Sequence, residues 1–191
     1  MKLNATSSLT AKDKRLRELA IYISDKSSGD ESFGATKLNK LLFYSDFLAY
    51  LNFGEPITGA DYFRLERGPA PKRWIPVRES MVKSGDAKIK EEEFYGFPQQ
   101  KLIPLRPANL KDFKAESLTL VDKIIALHKG KTASEISDES HGFVGWKLAC
   151  DKEVIPYQVA RTSRRPLSEK ELNHGRGLDA FASSVLEPMA C

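Results

Sequence analysis

Histidine and cysteine are scarce in this chain, three and two among 191 residues. His128, His141 and His174 lie far apart, none at the i, i+4 spacing with which a helix holds zinc, and no Cys-x-x-Cys occurs. No metal site is therefore expected. Cys150 and Cys191 cannot make a disulfide framework and are expected as reduced thiols. Long apolar runs are also missing. Nothing approaches the roughly 20 residues needed to span a bilayer, and the start, MKLNATSSLTAKDKRLREL, carries no apolar signal stretch. The expectation is a cytoplasmic protein with no membrane partner. No sign of charge dominates either: the net charge is +4, too mild by itself to argue for nucleic acid. Internal repeats and low-complexity linkers are absent.

Catalytic constellations are equally hard to find. Asn173-His174-Gly175-Arg176-Gly177 lacks the lysine of a phosphate loop and follows no strand, so it reads as a break in a helix. Cys150 and His141 share only the residue types of a nucleophile pair. Carboxylate neighbours such as Asp138 and Glu139 lie on charged helix surface. We expect no enzyme and no cofactor.

What the chain does hold is a clear order of elements. Residues 1–10 are small and polar without a period and are expected to be disordered. Leu16, Leu19, Ala20 and Ile23 repeat at i, i+3, i+4, i+7 and predict a helix from Ala11. Residues 27–34 break it. A second helix is predicted over Thr36 to Asn52, with Thr36 as N-cap and Gly54 as a left-handed stop before Pro56. Leu38, Leu41, Leu42, Phe43, Tyr44, Phe47 and Leu48 leave it apolar almost all round, which marks a central helix packed on more than one side.

Ile57 to Arg67 reads as extended, with Phe63 and Leu65 on one face, and Gly68-Pro69 ends it. A helix around Lys72 to Ser84 is expected next. Ile89–Tyr95 and Gln99–Leu105 then form a hairpin turning at Gly96-Phe97-Pro98. Leu118, Val121, Ile124, Ile125 and His128 give a further helical stripe, with His128 suited to the helix C-terminus. Thr132 and Glu135 form a capping box, and a short helix spans Phe143 to Ala149. Val154–Val159 reads as a short extended piece. Ser168 and Glu171 open a last helix toward Leu186. The fold class is α+β: one predominantly α-helical domain over 11–160 with a small β-hairpin or sheet component, then a C-terminal loop and helix extension over 161–191.

Candidate partner-binding residues fall in four places. Arg64 and Arg67 lie beside Tyr62 and Trp74 in a locally basic segment, and arginine and large aromatics supply much interface energy. Phe94, Tyr95 and Phe97 sit at a loop tip, where apolar side chains are unfavourable unless covered. His141 and Trp146 mark a helix break that reads either as a packed corner or as a recognition surface. Arg164 and Arg165, with Arg161, make a basic loop before Pro166.

These residues carry a resemblance. Lys37-Leu38-Asn39-Lys40-Leu41-Leu42-Phe43-Tyr44-Ser45-Asp46, Gly54-Glu55-Pro56-Ile57-Thr58-Gly59, Tyr62 and Gly68-Pro69 occur in fixed order. They are followed by Glu135-Ile136-Ser137-Asp138-Glu139-Ser140-His141, Trp146 and Ile155-Pro156-Tyr157. The whole resembles the Panacea family, the SocA-like antitoxin domain, over about Leu16 to Tyr157. Ala70 stands where the family pattern has valine after Gly-Pro. The resemblance implies a mainly helical bacterial or phage domain that neutralises a cognate toxin protein, usually encoded by the adjacent gene. Neutralisation would block the toxin or deliver it to a protease. No catalytic residues come with the resemblance. The alternative is a DNA-binding regulator of its own operon, for which helices followed by a hairpin are loosely compatible. A nuclease assembled from distant carboxylates has the least support.

Overall fold

The computed structural model describes residues 9–162. The helix opened by Ser168, the glycine break at 173–177, Arg164, Arg165, Cys191 and the segment before Leu9 lie outside the described residues. Within them the chain runs α1 (Ala11–Lys26), α2 (Ala35–Phe53), β1 (Tyr62–Phe63), β2 (Ala70–Pro71), α3 (Trp74–Lys83), β3 (Ala87–Phe94) and β4 (Phe97–Pro104). It continues with α4 (Ala115–His128), α5 (Ala133–His141), α6 (Val144–Leu148) and a 3-10 turn at Tyr157–Arg161. The fold is α+β and predominantly helical, with two small antiparallel sheets, β1–β2 and β3–β4.

Helix α1 starts at Thr10, whose hydroxyl accepts from the Asp13 N–H while the Asp13 carboxylate accepts from the Thr10 N–H. This reciprocal cap satisfies two otherwise orphaned donors. Its predicted stripe, Leu16, Leu19, Ala20 and Ile23, is fully buried. Helix α2 packs against α1, α4, α5 and β2, which is the central position that its all-round apolar surface demands. Gly54 ends it with φ 81°. The start differs from expectation: Gly34, not Thr36, is the N-cap. A Cβ there would meet Gln99 Cγ at 2.7 Å, so the place where a capping side chain would stand is closed by the hairpin.

Aromatic rings on α2 set the core. Phe43 and Phe47 lie 4.4 Å apart, and both meet Tyr62 and Phe143 edge-on at 5.1–5.7 Å. Such edge-to-face pairs contribute about 1 kcal/mol each beyond their buried area. Val121, Ile124 and Ile136 close this core from α4 and α5.

The hairpin β3–β4 pairs Ala87 with Pro104 through to Phe94 with Phe97. Its turn is therefore Tyr95-Gly96, two residues, rather than Gly96-Phe97-Pro98. Both turn residues have positive φ, 50° and 80°. A two-residue turn with both φ positive has the twist of the strands it joins, which favours it over a longer loop. Arg106 anchors the hairpin base. Its guanidinium donates to both Glu18 oxygens on α1, at 2.8 and 2.5 Å, and to Asp86 at 2.6 Å.

Two further expectations change. Only Tyr62–Phe63 of the segment 57–67 is strand, because residues 57–60 are held as a loop by side-chain bonds described below. Val154 makes a single bridge to Phe63 before the chain turns into the 3-10 helix, so 154–159 is not a strand.

Candidate functional site

Helix α2 carries three charged side chains into the interior. Lys37 is 1% exposed and its ammonium donates to Asp30 at 2.6 Å, to Ser32 Oγ at 2.9 Å and to the Lys131 carbonyl at 2.8 Å. An ammonium has three protons, so the group is fully satisfied. Burial raises the Asp30 carboxyl, but its bonds to Lys37 and Ser32 outweigh this and hold it below the ordinary carboxylate range. This one cluster joins the α1–α2 connection, α2 and the α4–α5 connection.

Lys40, one helical turn on, is 2% exposed and donates to the Pro69 carbonyl at 3.0 Å. Burial pulls its pKa down to about 7. A Cβ on Gly68 would lie 2.8 Å from Lys40 Nζ and collide with Ser140 Oγ, and Gly68 has φ 88°. The Gly-Pro pair is thus required to let β2 approach α2 and α5.

Asp46 is fully buried. It accepts from the Thr58 N–H at 2.6 Å, from the Thr58 hydroxyl and from Tyr62 Oη at 2.8 Å. Burial pushes its pKa up, and the Thr58 and Tyr62 bonds offset this only in part. Asp46 organises the loop before β1. Lys37, Lys40 and Asp46 are each buried, and their bonds tie loops and strands to α2. Among the described residues, no three or more His, Cys, Asp and Glu side chains cluster as metal ligands.

Two features face outward. At the α5–α6 corner the His141 and Trp146 rings stack at 4.1 Å, and the Arg64 guanidinium lies 4.7 Å from the Trp146 ring. Trp146 Nε1 donates to the Leu65 carbonyl at 2.9 Å, tying the corner to the segment after β1. The second feature is a groove of about 560 Å³ between the hairpin tip and the starts of α2 and α5. Tyr95 and Phe97 stand at its edge, 86% and 73% exposed. A larger depression of about 710 Å³ beside α1 is lined by charged groups such as Arg17 and Glu18. These are already paired with Asp86 and Arg106.

The structure divides the sequence-derived candidates. Tyr62 and Trp74 are 1% and 7% exposed and belong to the core. Arg64, His141 and Trp146 are brought together at the corner. Phe94, Tyr95, Phe97 and Arg67, distant in sequence, line the groove. Arg164 and Arg165 lie outside the described residues. Sequence reasoning missed the buried roles of Lys37, Lys40 and Asp46. The signal was present: a helix apolar on every side has no solvent stripe on which charges can sit.

The chain was also compared with known proteins. The family model for the antitoxin SocA-like Panacea domain matches residues 38–147, more than half of the chain. The protein belongs to this family, which suggests a toxin–antitoxin role, a non-catalytic one, with a toxin as partner in general. The match runs from α2 to α6, narrower than the span of resemblance read from the motifs. No curated protein and no solved structure matches the chain. No helix among the described residues is long and apolar enough to cross a membrane.

Proposed function

We propose that this protein is an antitoxin that neutralises its cognate toxin by direct protein–protein contact, with the toxin encoded by the adjacent gene. The observation that carries the reading is the pair of exposed aromatics at the hairpin tip, Tyr95 in the two-residue turn and Phe97 at the start of β4. Large apolar side chains held open on an ordered element are suited to being covered by a partner. Binding would then block the toxin or present it to a protease, and toxin half-life in cells separates the two. The burial of α2 speaks against the regulator reading, in which an exposed helix must enter the major groove.

The test is growth rescue. The adjacent gene is induced alone and then together with this chain. Arrested growth, restored with a complex that co-purifies, supports the reading. A harmless neighbour, or rescue without contact, rejects it. DNA binding with affinity falling steeply with salt would then favour the regulator.

The same reading makes residues 11–160 the binding domain and 161–191, with Arg164 and Arg165, an extension specific to this toxin. Deleting residues 161–191 is expected to weaken toxin binding. Unchanged affinity in a soluble deletion variant rejects that role.

A further inference from the structure

The groove at the hairpin tip has a definite chemistry. Its rim is aromatic, with Tyr95 and Phe97 exposed and Phe94 beside them. Arg67 is the one charged side chain lining it, and it forms no ion pair among the described residues. The start of α2 borders the same space with no side-chain cap, so the positive end of a 19-residue helix faces it unneutralised. Of the carboxylates near it, Glu91 bonds the Gln100 amide and Glu135 bonds Thr132.

We propose that this groove docks an acidic, apolar-anchored segment of the partner polypeptide. A carboxylate of that segment faces Arg67 and the α2 start. An adjacent aromatic or branched aliphatic side chain packs against Tyr95 and Phe97. The charge lining the groove decides the class of occupant: a purely apolar segment would leave Arg67 desolvated without a partner, whereas a carboxylate supplies one. The naming of the partner as a toxin rests on the proposed function; the chemistry of the segment does not.

The probe is a library of short random peptides displayed on phage and selected against the full chain. Enriched sequences are expected to place Asp or Glu beside Leu, Ile, Phe or Trp. Their affinity is expected to fall about tenfold or more with Phe97→Ala and with Arg67→Glu, as for central interface residues. Ile75→Ala, which trims an exposed apolar residue on α3, should leave it unchanged. Both groove positions are on the surface, so thermal melting should show the variants folded. Basic sequences, equal binding to all variants, or no enrichment overturns the proposal. The two readings separate cleanly. A toxin that still co-purifies with the double variant at full affinity removes the groove and keeps the antitoxin. Acidic peptides seated at Phe97 and Arg67 in a chain that rescues no toxin keep the groove and remove the antitoxin.

Discussion

Tyr62 donates its hydroxyl to Asp46 at 2.8 Å, fastening the first strand to the middle of the central helix. The same carboxylate holds Thr58 through both main chain and side chain. One buried acid therefore sets the path of the chain from α2 to β1.

Removing the two ends of that contact should have unequal effects. Tyr62→Phe deletes one hydrogen bond and should lower unfolding free energy by about 1 kcal/mol. Asp46→Ala leaves the Thr58 N–H and Tyr62 O–H unpaired in the core and should lower it by about 3 kcal/mol. Urea denaturation measures both. Equal losses would mean that Asp46 does not organise the loop.

Lys37 and Asp30 should behave as a unit. Lys37→Met strands a buried carboxylate and should destabilise by about 3–5 kcal/mol. Adding Asp30→Asn should recover part of that loss, because the unpaired charge disappears. A double-mutant cycle in urea reads the coupling; additive losses would show that the ion pair carries no special interaction.

The response to pH has two arms, one alkaline and one acid, and stability rises with pH in both. Lys40 has its pKa lowered by burial to about 7, from the 10.5 of an ordinary lysine. Below about 7 it is charged in both folded and unfolded chains, and the folded state bears the full desolvation penalty. Between these values the unfolded chain holds the extra proton, so stability from this residue rises with pH. Lys40→Met should flatten that rise, which urea midpoints at about pH 6 and about pH 9 would show.

The acid arm has the same sign in a lower pH window. Burial raises Asp30, Glu18 and Asp86, but Lys37, Arg106 and Ser84 outweigh it and leave all three below their ordinary values. Their stabilisation is present above the unfolded carboxylate range, about 4, and is lost as pH falls through their folded values. Acid unfolding of Lys37→Met should show a shallower loss below about pH 4 than the parent chain. An identical acid limb would remove Asp30 from this account.

Gly68→Ala should destabilise by about 2 kcal/mol or more, from the positive φ together with the collision with Ser140 and Lys40. Gly85→Ala is the comparison, since φ is also positive there but a Cβ meets nothing within 4 Å. Equal melting temperatures for the two variants would show that close approach adds nothing at Gly68.

The hydrophobic period of α1, the all-round apolar face of α2 and the capping box at Thr132 were legible because each depends on neighbours within one or two turns. The N-cap of α2 was not, because Gln99, far along the chain, decides how much room Gly34 has. Residues 57–60 read as extended because they lead into the alternation at 62–67, while the buried Asp46 carboxylate that holds them as a loop sits on α2. For the candidate site, composition indicated aromatics and arginines but not their exposure. Tyr62 and Trp74 turned inward and Phe97 outward, since each depends on what α2 and the hairpin leave uncovered.

The Lys37 cluster also bears on how such a protein can change partners. It locks together the two helix starts that form one wall of the groove, so substitutions on that side disturb folding. The opposite wall is a hairpin tip whose side chains at 94–99 mostly face solvent. New specificities should therefore arise by exchanging the exposed tip residues alone, and a library confined to Tyr95, Phe97 and Pro98 should retarget the protein while leaving its unfolding midpoint in place.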